Sequence, residues 1–570
     1  MVESSKESKE SKRRLTSSAQ GPEQSGLPGK GHRTVRRRRA AAESILAGSV
    51  AVAAVAVVTI GSIVPGFTAA AVVDPPAVAL PAGQSTAACP GPARLLDGSA
   101  AGTDPQFSAT SSSSSSTVTA LVLSAPDGTV PGSALSPLGA GEPLALVAKA
   151  SASGSVSPSA VGTAGATAGS AGIADHRKAA VLKSQAVAGA SVLRADSLGD
   201  KRASLGAVMA YAAPDGDLAG LAAGECQPPA NDLWLAGAST TVGRTAILQL
   251  SNSSQTAATV NLDLFGDKGP VPAPGAKGLL VPPGTSRSVV LAGLAAGQSN
   301  LSMRLKSTGG PVAATIQQSV LRGLTPGGVE VISPVSAPAA RQVITGVAIQ
   351  QPALAAAVAG QPGYADAGAA LQVTVPGSAD ALVQVKVYGP SGQQQLPGGG
   401  VFTAKAGGVS ELSLTGLPAG TYTLDVGSDV AFTATARVAS ALKTGEPIDF
   451  GSAGAGGKLG DGQLITVPQG VLSTLAFGVP AGRAKVSLTP VSLSGGFLPV
   501  KTVDVAGGTT QTVDSAQLAG AAVAGFVVSA TGDAVYGAQI LGIKDKAAVS
   551  VLGVPRGVAG PQDLKVILGY

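Results

Sequence analysis

At 570 residues the chain has room for three or four domains of ordinary size. Only 13% of it is charged and 3% aromatic, with 78 Gly and 39 Pro, so any core is built from small aliphatic side chains over many positions. The formal charge of +6 lies wholly in residues 1–44, which hold eleven Lys or Arg against five Asp or Glu; the remainder has 28 of each, which excludes a basic surface for nucleic acid there.

Residues 1–44 are Ser/Lys/Glu-rich with little to bury, and read as a disordered basic cytoplasmic tail. The tail ends in Arg36, Arg37, Arg38 and Arg39; Glu43 is its last charge, and none follows until Asp74. Between them Ile45–Val64 is a run of twenty nearly all apolar residues. As a helix rising about 1.5 Å per residue it spans a hydrocarbon core of about 30 Å. Basic residues stay on the inner side, so Arg36–Arg39 are the topology signal, and everything beyond Asp74 is expected outside a cell membrane crossed once. The lipid bilayer, met through residues 45–64, is thus an expected partner. A second reading stays open: Ala69-Ala70-Ala71 offers small residues for a signal peptidase, and cleavage near Ala71 would release the rest as a secreted protein. Residues 65–85 form a Pro/Ala-rich linker.

Residues 86–226 are expected to form an N-terminal extracytoplasmic β domain with a flexible Ser/Gly-rich insert. The Leu95-Leu96 pair, Thr117–Ser124, Glu142–Lys149, Ser204–Ala212 and Leu218–Cys226 are its strand candidates, separated by turn signals such as Asp127-Gly128. Ser111–Ser116 reads as a loop, and His176 as a solvated polar residue with no catalytic partner in view. The only cysteines, Cys89 and Cys226, are an even pair on the predicted oxidising side, which suggests one disulfide. Closing that loop is worth about 5 kcal/mol in the chain-entropy picture. Two unlinked core thiols are the alternative. Two cysteines and two histidines do not make a Cys/His zinc cluster.

Residues 227–334 show seven strand candidates: Leu233–Gly237, Thr245–Asn252, Ala258–Phe265, Ala276–Val281, Ser286–Leu291, Ser299–Lys306 and Val312–Val320. Alternation is plain in Thr259–Phe265, and such spacing fits a two-sheet sandwich. Trp234, the only tryptophan, is a core or surface aromatic in the first of these strands.

A turn, a polar alternating strand and a Leu/Ala/Gly turn then recur at Pro283–Leu294, Ala406–Leu417 and Ala506–Gly520. Each is followed by two more strands: Leu301–Lys306 with Val312–Gln317, Thr421–Val426 with Ala431–Ala436, and Val523–Ser529 with Ala534–Ile540. The spacing of over a hundred residues is that of a domain, and it implies further β-sandwiches at 341–442 and 448–570. The expected fold class is all-β: tandem Ig-like β-sandwich-type domains outside one N-terminal transmembrane helix.

The stretch Cys226–Thr245, CQPPANDLWLAGASTTVGRT, resembles DUF5719, a family of actinobacterial membrane-anchored or secreted proteins of unknown function. Cys226, Pro228 or Pro229, Asp232 with Trp234, Gly243-Arg244 and Leu248–Asn252 carry the likeness, which would cover residues 85–555. Leu235 departs from it, standing where a larger residue is usual. The resemblance implies topology and origin, and no mechanism.

A glycosidase needs two placed carboxylates, and Asp263 with Asp267 is one of many pairs that nothing singles out. No Gly-x-Ser-x-Gly elbow or phosphate-binding loop stands in a strand–helix context. The expectation is a non-enzymatic structural or interaction protein of the cell envelope, with no cofactor, meeting wall polymer or envelope proteins. The alternatives are a wall-carbohydrate-binding protein, whose platform would draw on Trp234, Tyr364, Tyr388 and Tyr422, and a wall-polymer hydrolase.

Overall fold

The computed structural model describes residues 77–79, 82–96, 110–111, 113–139, 141–149, 177–199, 201–555 and 563–565. Arg36–Arg39, Ile45–Val64, the Ala71 cleavage point and His176 lie outside them. Among the described residues no helix is long and apolar enough to cross a membrane. Residues Val78–Leu564 form one compact unit.

Within that unit antiparallel sheets are stacked in four pairs. In chain order the first pair uses Ser85–Cys89, Ser115–Leu123, Ser133–Pro137, Ala145–Ala148, Ala179–Ala186, Ser191–Ala195, Leu205–Ala213 and Gly220–Glu225. The second uses Asp232–Ala238, Arg244–Asn252, Ala258–Gly266, Gly269–Val271 with Leu279–Val281, Thr285–Val290, Leu301–Gly309, Ala313–Arg322 and Thr325–Ile332. The third uses Ala339–Ile349, Ala370–Thr374, Ala381–Gly389, Gly392–Gln394 with Val401–Ala404, Val409–Ser413, Gly420–Ser440 and Asp449–Gly454. The fourth uses Gln463–Thr466, Leu472–Val479, Arg483–Ser492, Lys501–Ala506, Thr509–Asp514, Val523–Gly532, Tyr536–Gly542 and Val549–Gly553.

Every pair is wired alike. Its leading sheet orders the strands first, sixth, third, fourth, and its trailing sheet fifth, second, seventh, eighth. In the third pair the 21-residue strand Gly420–Ser440 serves as both sixth and seventh, bending from one sheet into the other. The two strands expected at Thr421–Val426 and Ala431–Ala436 are thus one. The recurring segments at 283–294, 406–417 and 506–520 each hold the fifth strand, so their sequence likeness marks equivalent places. The first pair has the same wiring without that likeness.

Other expectations are corrected. Leu95-Leu96 is not a strand, and Pro274–Ala276 is a 3-10 turn with its strand starting only at Leu279. Strands Ser133–Pro137, Ala179–Ala186 and Ser191–Ala195 of the first pair carry weak alternation and escape a sequence reading, as does Thr325–Ile332.

Each pair encloses its own apolar core, drawn from facing sheets as alternation requires. In the first, Val118, Ala120 and Met209 of one sheet meet Leu135 and Leu193 of the other. In the second, Leu248 and Ile316 meet Leu262 and Leu305. Aromatics are few; Phe432, Phe477 and Phe526 are fully buried. The Cys89–Cys226 disulfide ties the first strand of the leading sheet to the end of the trailing sheet.

The pairs then stack leading sheet to next trailing sheet. Arg94 N–H donates to Gln317 Oε1 (2.9 Å) and Gln317 Nε2 to Arg94 O (2.7 Å) between the first and second pairs. Gln372 Nε2 donates to Asn300 Oδ1 and Thr374 Oγ1 to Ser302 Oγ between the second and third. The Thr510 hydroxyl reaches Tyr388 O and Thr423 Oγ1 between the third and fourth. Finally the fourth pair meets the first: Leu121 and Ala179 pack on Val491 and Ala524, and Ala179 N–H donates to Gly495 O. The four pairs close into a ring.

Candidate functional site

The ring has a hub, made by the last strand of each pair: Gly220–Glu225, Thr325–Ile332, Asp449–Gly454 and Val549–Gly553. Each is the edge of its trailing sheet. An edge strand pairs every second N–H with its neighbour and leaves the others pointing away, where water or another strand must take them. Here four such edges face one another. Two acidic side chains supply the acceptors.

Asp449 is fully buried. Its Oδ1 accepts from Val329 N–H (3.1 Å) and Phe450 N–H (3.0 Å), its Oδ2 from Leu221 N–H (2.9 Å) and Val549 N–H (3.0 Å). One carboxylate therefore takes a backbone donor from each of the four sheet pairs. Glu330, 1% exposed, sits one step along. Its Oε1 accepts from Val331 N–H (2.8 Å) and the Ser550 hydroxyl (2.7 Å), and its Oε2 from Ser452 N–H (3.3 Å). Ser550 Oγ in turn accepts from Ala223 N–H at 3.1 Å. The donors advance by two on each strand, 221 to 223, 329 to 331 and 450 to 452, so the strands run the same way past the two acids.

Two glycines make room for this. Gly220 (φ 143°) and Gly328 (φ 108°) hold backbone that side chains rarely adopt, and a Cβ on either would stand 2.8 Å or 2.4 Å from Asp449 Oδ1. The Pro326-Gly327-Gly328 run that looks like a turn is the entry to a hub strand.

Burial raises both acids. Desolvation raises Asp449 against the pull of its four N–H donors, and raises it less than Glu330. Glu330 goes well above the usual carboxylate range, again by desolvation first, with the Asp449 charge adding to it and its own hydrogen bonds opposing. Glu225, at the end of the first hub strand, is raised to about 8 by burial.

Trp234 is 5% exposed, and packs between pairs rather than inside one: it stacks on Phe265 at 5.8 Å and meets Val409 of the third pair, with Arg304 5.5 Å from its ring. Tyr364, Tyr388 and Tyr422 are 9%, 6% and 2% exposed, so these four aromatics present no ring face as a platform. Asp263 pairs with Lys277 (2.6 Å), while Asp267 accepts from Ser299 and Asn300 N–H; the two do not converge. Among the described residues no group of three or more His, Cys, Asp or Glu could hold a metal ion. An open groove of about 790 Å³ runs between the third and fourth pairs, with Arg341, Lys386, Asp425 and Asp429 on one wall and Pro480 and Ala481 on the other. Asp366 ties the second and third pairs, accepting from Arg244 (2.5 Å) and Arg322 (2.6 Å), with Arg322 stacked 4.5 Å over Tyr364.

Asp449 and Glu330 were not singled out by the sequence, although each stands as a lone acid in an apolar run, Ile448-Asp449-Phe450 and Val329-Glu330-Val331. Apart from the adjacent Phe450 and Val331, their partners lie 100 to 228 positions away.

No curated protein and no solved structure matches the chain. A family model described as a family of unknown function (DUF5719) matches residues 181–516, a span narrower than the expected 85–555 that still takes in Trp234, Glu330 and Asp449. That span is more than half of the chain, and the chain belongs to the DUF5719 family.

Proposed function

We propose that the protein is a non-enzymatic interaction or structural module of the cell envelope, held at the outer side of the membrane by residues 45–64. The observation that carries this is where the reactive side chains go. Asp449, Glu330, Ser550, Trp234 and Asp366 are each engaged in holding one sheet pair to another. Chemistry-bearing groups spent in this way serve a rigid body that presents surfaces. In the first three pairs the first strand runs against the chain that follows the last strand, through the Ala88–Gln227, Trp234–Val335 and Val343–Gly456 bridges. Strand Ser85–Cys89 therefore begins at the end of the ring where Val549–Gly553 finishes. A tether preceding Ser85 would leave the opposite end, with the helix Pro352–Ala359, free to meet wall polymer or an envelope protein.

The test is capture of wall polymer or envelope protein from cell fractions by the purified full-length chain, repeated with Lys386→Glu in the groove between the third and fourth pairs. Retention of neither class of partner would sink the proposal. The anchor itself is read from the N-terminal residue of the mature protein; a chain beginning at Val72 would show release.

A further inference from the structure

The hub presents a protonation problem that its geometry solves in one way. A carboxylate has about four lone-pair directions. Asp449 has all four filled by N–H donors, so a proton on either oxygen would face a donor and lack an acceptor. Glu330 differs. It touches a hydroxyl, Ser550, whose oxygen takes only one N–H, from Ala223, and keeps a lone pair for another donor. The 2.7 Å contact between Ser550 Oγ and Glu330 Oε1, in which the hydroxyl donates to the carboxylate, reverses when the acid carries the proton; this costs the hydroxyl hydrogen its acceptor, whereas a proton on Asp449 would be driven against an N–H. We propose that the hub is a proton-linked latch: Asp449 is ionised, Glu330 carries the one proton the pair shares and donates it to Ser550, and release of that proton loosens the four-strand junction.

On release the proton passes to solvent and leaves two buried carboxylates side by side. Among the described residues no cation pairs with either acid. Arg322 ends its strand engaged with Asp366, and Arg437 on Gly420–Ser440 with Glu411. Lys544, Asp545 and Lys546 stand exposed in the turn before the last hub strand. Tyr211 and Tyr536 lie on the neighbouring strands, and neither is among the groups acting on Asp449 or Glu330. Two unpaired charges without a cation are strongly unfavourable in an apolar interior. Because Glu330 is raised above its unfolded value near 4.5, the stability it contributes is complete below that value and is lost as pH rises through its folded value.

The test uses the full-length chain in detergent, in a Glu225→Gln background so that the raised carboxyl on the first hub strand does not contribute. Thermal midpoints are compared at about pH 6 and about pH 9, on either side of the range expected for a buried acid. The latch predicts a clear fall in the midpoint with rising pH. Glu330→Gln, which mimics the protonated acid, should exceed its parent by more at the higher pH than at the lower, and lose at least half of the fall. A Gln variant weaker than its parent by the same amount at both pH values would overturn the proposal, as would a parent whose midpoint does not fall. Should the variant not fold, infrared spectra of the parent decide. A protonated carboxyl C=O band must persist at neutral pH, where exposed acids are ionised, and vanish on alkalinisation; its absence refutes the latch.

Discussion

Gly328 approaches Asp449 so closely that a Cβ on it would lie 2.4 Å from the carboxylate oxygen, with Cα of Asp449 itself only 2.8 Å away. The contact joins the second sheet pair to the third, and backbone there has nowhere to retreat. Gly328→Ala should therefore cost about 3 kcal/mol, combining a disfavoured φ with a displaced acceptor. Gly323→Ala, at φ 65° with open space around its Cβ, should cost only about 1 kcal/mol. Chemical denaturation of the two variants measures the difference.

Truncating Asp449 removes the acceptor for four buried N–H groups at once. Asp449→Ala should cost about 4 kcal/mol or more, since each orphaned buried donor is worth about 1 kcal/mol or above. The amides of Leu221, Val329 and Val549 should lose hydrogen-exchange protection together, although they belong to three different sheet pairs. Loss confined to Val329 and Phe450 would show that the hub does not act as a unit.

Asp366 gives a local counterpart. Burial alone would raise its carboxyl, and the hydrogen bonds from Arg244 and Arg322 more than reverse this, so it is held below the usual range. Its contribution is present above the unfolded value near 3.8 and fades as pH falls through the lower folded value. Arg322→Ala, which removes the more buried partner, should cost about 2 kcal/mol at neutral pH and less in acid, as read from denaturation midpoints.

Glu225 carries the opposite sign. Burial lifts its carboxyl to about 8, so the acid form fits the fold and ionisation opposes it. Glu225→Gln should be neutral at about pH 5 and stabilising relative to the parent above about pH 8, a crossing that paired thermal scans would show.

The Cys89–Cys226 bond closes a loop of 137 positions. Non-reducing mass analysis of exported protein should find the two residues joined. Reduction should lower stability by about 5 kcal/mol on the chain-entropy account.

What could be read from the residues, and what could not, divides along a physical line. Thr259–Phe265 alternates apolar and polar because one face meets a core and the other does not, and it is a strand where expected. Thr325–Ile332 contains Pro326, Gly327 and Gly328 and looks like a turn, because Gly328 answers to Asp449, 121 positions away, rather than to local conformation. Gly427-Ser428 lies between the two strands expected there, yet it stays paired within one long strand, which passes from one sheet to the other before Thr433. The hub escaped for the same reason. A local pattern reports a residue's own sheet, and Asp449 serves the other three.

The ring also says what a shortened chain would do. Every junction joins a leading sheet to a trailing sheet, and the last, packed on Leu121, Ala179, Val491 and Ala524, connects the two ends of one polypeptide. Head-to-tail contacts of that kind terminate only when the rotation closes. A chain lacking its final sheet pair would keep an uncovered trailing face on Ser115–Leu123 and an uncovered leading face on Ala381–Gly389, each shaped for a neighbour of the same general build. Such a fragment is expected to associate head to tail through the two faces that the intact chain covers within itself.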